Sequence, residues 1–86
     1  MALKTASPIE LLKRLLIRMN IFPDVKGLKD DENLFSVGAL DSLTLIQFVL
    51  LIEDEYQIRI DNTDITYEQF QSFTIIAELI SNKYQK

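Results

Sequence analysis

Ile9, Leu12, Leu15, Leu16 and Met19 recur at the three- and four-residue spacing of one helix face. Ser7-Pro8-Ile9-Glu10 opens that stretch as a capping box: Ser7 caps, Pro8 takes the first helical position and Glu10 reaches back. The helix is expected to end near Asn20, before Phe22-Pro23. Residues 21–41 then hold Pro23, Gly27, Gly38 and the charged run Lys29-Asp30-Asp31-Glu32. They read as a long connection, with Leu28, Leu34, Phe35 and Val37 pinning it to the core. A loop this long in so short a chain is usually functional.

A second helix is expected from about Ser42 to Tyr56, capped by either Asp41 or Ser42. At 100° per residue, Leu45, Phe48, Val49, Ile52 and Tyr56 form one stripe, which is the core face. Leu43, Ile46 and Leu50 cluster on the opposite side, with Gln47 and Asp54 among them. A core helix of a small bundle does not need a second apolar stripe. Left exposed, such a stripe marks a partner surface; the alternative is that it packs against the long loop.

Beyond this helix, Ile58-Arg59-Ile60 alternates as a short extended piece and runs into the polar turn Asp61-Asn62-Thr63-Asp64. Thr66 can cap one helical turn over Tyr67–Phe70. Ser72 can cap a last helix from Phe73 to about Tyr84, with Phe73, Ile76, Ala77, Ile80 and Tyr84 on one face. The expected fold is all-α: a small four-helix bundle of three main helices and a short one, with a long first loop. Residues 1–86 form a single domain in this reading, with 1–6 as a flexible N-terminus.

Composition narrows the chemistry. A chain of 86 residues with 48% apolar side chains suits one modest core and leaves little room for a deep active site. There is no cysteine and no histidine, so disulfides, thiolate chemistry and the commonest general base and metal ligand are excluded. The net charge of −4 is unevenly spread. Residues 1–29 carry six basic against two acidic side chains, whereas residues 30–78 carry one basic, Arg59, against eleven acidic. That negative surface repels nucleic acid and attracts basic protein surfaces. Met1-Ala2-Leu3-Lys4-Thr5 lacks an extended apolar segment, and the longest apolar run is Phe48 to Ile52. No signal peptide and no membrane span are expected, which suits a cytoplasmic monomer.

Gly38-Ala39-Leu40-Asp41-Ser42-Leu43 resembles the modification motif of acyl and peptidyl carrier proteins, a glycine, a short spacer, then Asp-Ser-Leu. Leu34-Phe35 before it, Ile52-Glu53-Asp54-Glu55-Tyr56 with Ile58 and Ile60 after it, and Phe70-Gln71-Ser72-Phe73 ahead of the last helix fit the same family's order of elements. The resemblance implies that Ser42 carries 4′-phosphopantetheine, attached from coenzyme A by a phosphopantetheinyl transferase, and that Asp41 takes part in recognition by that transferase. It also implies that Leu43, Ile46, Gln47, Leu50 and Asp54, at the start and outer face of helix 2, meet the partner enzymes. Physical chemistry agrees at Ser42, since a phosphodiester at a helix N-terminus meets free N–H groups and the positive end of the dipole. Against this stands the simpler role of Ser42 as an N-cap only. Gly38 is expected to permit an unusual backbone angle, or else simple loop flexibility.

Fatty-acid carriers typically show several acids on the outer face, whereas this chain has Gln47 there and Glu53-Asp54-Glu55 only at the far end. The closer likeness is to discrete acyl or aminoacyl carriers of polyketide or nonribosomal-peptide type; D-alanyl and fatty-acid-type carriers are the alternatives. Such a protein is not an enzyme. It presents thioesters to a loading enzyme and to a downstream synthase or transferase. From another class, an unmodified helical adaptor would use the same stripe. Two further features are set aside. Asp61 to Glu68 hints at a calcium loop but lacks the ligand spacing and central glycine, so no metal is expected. Glu53-Asp54-Glu55 reads as a solvated face rather than a catalytic carboxylate set.

Overall fold

The computed structural model describes residues 7–84; the N-terminus expected to be flexible, 1–6, lies outside the described residues. Four α-helices follow in order: α1 (Pro8–Met19), α2 (Ser42–Tyr56), α3 (Tyr67–Phe70) and α4 (Phe73–Leu79). Single 3-10 turns stand at Val25–Gly27 and Asn62–Asp64, and a π-helical turn, Ile80–Tyr84, continues α4. The fold is all-α, with no strand among the described residues.

Each helix starts where a side-chain oxygen takes an orphaned N–H. Ser7 Oγ accepts from the Glu10 N–H at 3.1 Å, and Pro8 stands in the first turn. Among the described residues Glu10 returns no hydrogen bond to Ser7, so the box at α1 is only half made. Thr66 caps α3 and Ser72 caps α4, as expected. Asn20 and Gln57 end α1 and α2 in the left-handed conformation, with φ of 57° and 56°.

α1 packs against both α2 and α4, and α3 packs against α4. Leu12, Leu15, Leu16, Phe48, Ile52, Phe70, Phe73 and Ile76 fill the space between them and are fully buried. Leu28 and Leu34 are buried and Phe35 and Val37 half-buried against the same core, which is the pinning expected of the long loop. Val25, Ala39 and Leu40 are buried as well. Polar groups hold the loop at three further points. Lys13 Nζ donates to Leu28 O and pairs with Asp30, both at 3.1 Å. The Thr74 N–H and hydroxyl both reach Asp30 O, and the Leu34 N–H donates to Gln71 O at 2.7 Å. The loop is therefore a fixed strap across α1 and the α3–α4 corner.

Ile58, Arg59 and Ile60 alternate half-buried, exposed and buried, but they pair with no strand. Their backbone is tied down by Glu53, whose carboxylate accepts the Ile60 N–H at 2.8 Å. Asp54 and Glu55 are exposed, so the expected solvated face omits Glu53.

The last helix runs in α form only to Leu79 and widens into the π turn. Asp64, largely buried, anchors that turn: it accepts from Lys83 Nζ at 2.7 Å and from the Tyr84 hydroxyl at 2.5 Å. The Tyr84 hydroxyl in turn accepts the Asp61 N–H, and Asp61 accepts from Thr63. Asp61 and Asp64 of the stretch 61–68 thus clamp the C-terminal turn, each carboxylate accepting from protein donors. Those donors hold the Asp64 carboxyl below its ordinary pKa of 3.8. Its contribution to stability is present above that pH and is lost as the pH falls through the lowered value. Asp64→Asn is expected to flatten the acid side of a melting-temperature-versus-pH curve. An unchanged acid slope would show that the clamp does not couple to folding.

Candidate functional site

The structure assigns the cap of α2 to Asp41. Its Oδ1 accepts the Leu43 N–H at 3.1 Å and the Thr44 N–H at 2.9 Å, while Thr44 Oγ1 accepts the Asp41 N–H at 2.7 Å. Cap and third helical residue thus satisfy each other, a complete capping box. Thr44 is the partner that the sequence reading missed; its signal was an oxygen-bearing side chain three residues after a capping Asp. These hydrogen bonds, led by those from Thr44, hold the Asp41 carboxyl below the usual range, so it is ionised at neutral pH.

With Asp41 as cap, Ser42 has no structural task. It occupies the first position of α2 and is exposed. Its hydroxyl enters none of the hydrogen bonds among the described residues. The simpler role of Ser42 as N-cap is therefore overturned. So is one part of the phosphodiester argument: the Leu43 and Thr44 N–H groups are already taken by Asp41. A phosphate on Ser42 would meet the helix dipole but not a set of free donors.

The approach to Ser42 is rigid. Asn33 Oδ1 accepts from Phe35 and Ser36 N–H, and Leu34 O accepts from both Ala39 and Leu40 N–H. Gly38 turns the chain between them with φ of 87°. A Cβ there would meet nothing within 4 Å, so glycine is required by backbone angle alone. Buried Leu40 on one side and buried Leu45 on the other clamp an exposed segment that contains Asp41, Ser42 and Leu43.

The second stripe of α2 is open to solvent. Leu43 is 66% exposed, Ile46 47% and Leu50 59%; packing of this stripe under the long loop is excluded. Gln47 and Asp54 are exposed beside it. Ser42 lies between this stripe and the core stripe when α2 is projected down its axis. Leu50 and Ile46 also wall a groove of about 420 Å³ between α2 and the segment 59–65, with Val49, Glu53, Arg59 and Ile65 among its other walls.

The family model for the phosphopantetheine attachment site matches residues 10–80. The chain belongs to that family. A phosphopantetheine-binding domain of this kind is the site at which 4′-phosphopantetheine is covalently attached, and it works as a carrier that tethers acyl groups. When bound, the arm supplies the thiol that holds cargo as a thioester. Carrier domains of this family are generally non-catalytic and interact with a phosphopantetheinyl transferase and with synthase partners. No curated protein and no solved structure matches the chain. No helix among the described residues is long and apolar enough to cross a membrane.

Proposed function

We propose that Ser42 is the residue that bears 4′-phosphopantetheine and that the chain carries acyl or aminoacyl groups in a pathway of polyketide or nonribosomal-peptide type. One observation carries the reading: the Ser42 hydroxyl is exposed and free of hydrogen bonds at the start of a helix already capped by Asp41. The fixed strap of residues 21–41 holds that hydroxyl in one place for an incoming transferase. Asp41, ionised and adjacent, is the charge that the transferase reads. Leu43, Ile46 and Leu50, with Gln47 and Asp54 at the rim, form the surface on which partner enzymes dock. A small apolar stripe inside an acidic field suits fast, transient encounter with basic partners. The tether then raises the effective concentration of cargo at each docked enzyme.

Co-expression with a broad-specificity phosphopantetheinyl transferase, followed by intact-mass measurement, tests the reading. The chain is expected to gain one phosphopantetheine. An unchanged mass under conditions that load a control carrier would favour an unmodified adaptor using the same stripe. Docking has its own test. Ile46→Glu, on an exposed helical position, is expected to leave the helical circular dichroism unchanged and to slow loading of the arm-bearing protein by its cognate enzyme. Normal loading would remove Ile46 from the docking surface.

A further inference from the structure

Of the six large apolar side chains exposed among the described residues, three belong to the α2 stripe, and Tyr67 packs tilted against Phe35 with ring centroids 4.5 Å apart. The remaining two, Ile17 and Ile21, each 41% exposed, lie on and just after α1. Ile17 sits on the side of α1 that faces away from buried Leu12, Leu15 and Leu16, with Glu10 and Arg14 nearer its centre. It breaks the amphipathic pattern of that helix, since this side should be wholly polar. Beside it stand Arg14 from α1 and Lys26 from the 25–27 turn, both exposed. Arg14, Ile17 and Lys26, with Glu10 and Lys13, line a shallow groove of about 350 Å³. Lys13 is spent on Asp30 and Leu28 O, and Arg18 has only a loose 3.8 Å contact to Glu55. Arg14 and Lys26 form no ion pair among the described residues.

We propose that this face is a second docking surface, distinct from the α2 stripe, and that it takes an acidic, apolar-bearing helix or segment of a partner protein. Its sign is the argument. α2 and its cap carry four acidic side chains, Asp41, Glu53, Asp54 and Glu55, and no basic one, and this side selects basic surfaces. The α1 side presents cations around isoleucine and selects acidic ones. A single partner patch cannot satisfy both, because like charges face each other in one of the two poses. The two faces therefore select partners of opposite charge. Anionic lipid fits less well. A membrane-surface helix needs a broad apolar face, whereas this one offers two isoleucines and a groove that contains Glu10. The proposal goes beyond the carrier reading and stands whether or not Ser42 is modified.

The test is an NMR titration of the isotopically labelled chain at about 0.15 M salt, where exposed charges act only over ~8 Å. The probes are a synthetic acidic amphipathic helical peptide of Leu and Glu, a scrambled peptide of the same composition, and phosphatidylglycerol vesicles. The amphipathic peptide is expected to shift the amides of Arg14, Ile17, Arg18, Ile21 and Lys26. Arg14→Glu with Lys26→Glu, and separately Ile17→Ser, are expected to weaken binding about tenfold. Equal binding of the scrambled peptide would reduce the face to diffuse charge and overturn the proposal. So would shifts centred on α2, binding of the vesicles in preference to the peptide, or no binding at all.

Discussion

Ser42→Ala is expected to abolish the gain of phosphopantetheine while leaving the folded protein as stable as before. The first half follows from chemistry, since alanine offers no oxygen for the phosphodiester. The second half follows from the cap. Were Ser42 the capping residue, its loss would cost about 1 kcal/mol and fray α2. Because Asp41 holds the Leu43 and Thr44 N–H groups, the substitution touches no hydrogen bond among the described residues. It also replaces serine with the best helix former. The change in unfolding free energy should stay within about 0.5 kcal/mol. Intact mass after transferase treatment and a thermal melt read the two halves separately. A variant that still gains the arm would move the attachment site elsewhere. One that melts well below the parent would make Ser42 a structural residue after all. Asp41→Asn sharpens the test, because Asn caps as well as Asp but carries no charge. Slower modification with an unchanged melt is the expected result if the transferase reads the carboxylate. Normal modification would leave Asp41 as a cap alone.

Phe48→Ala is expected to be the most damaging single truncation in α2. Phe48 is fully buried, and emptying such a site removes transfer free energy and leaves a cavity, together costing about 3–5 kcal/mol. A chain of 86 residues has a total stability of only about 4–13 kcal/mol, so the truncation removes a large share of it and, at the lower end, unfolds the variant. Leu50, two residues on along the same helix, is 59% exposed. Leu50→Ala should shift stability by no more than about 0.5 kcal/mol. Urea denaturation of the two variants makes the comparison direct. Similar losses in both would contradict the division of α2 into an inner and an outer face.

That division was legible in the residue spacing. Two apolar stripes on one helix can be counted from Leu43 to Tyr56, and Leu45, Phe48, Val49 and Ile52 are buried as the count requires. Caps were legible too wherever a single candidate oxygen preceded an apolar period, as at Ser7, Thr66 and Ser72. Where two candidates stood side by side, as at Asp41 and Ser42, local sequence left the choice open. Both side chains are short acceptors, and the deciding factor is which residue the preceding loop places in extended backbone. Buried Leu40 and the hydrogen bonds to Leu34 O set that one residue ahead of Ser42.

The sequence by itself determined where the helices begin, their caps with one exception, the inner face of α2 and the motif around Ser42, because periodicity, capping and turn chemistry act over a few neighbouring residues. Only the tertiary structure decided what each remaining surface meets. It left Leu43, Ile46 and Leu50 uncovered, drew Glu53 onto the Ile60 backbone, closed Lys83 and Tyr84 over Asp64 and gathered Lys26 beside Arg14 and Ile17. Those pairings join residues some 7 to 20 positions apart in the chain, beyond the reach of helix periodicity and capping. They follow from how the helices stack around the shared core, which fixes which side chains are buried, which are paired and which are left for other molecules.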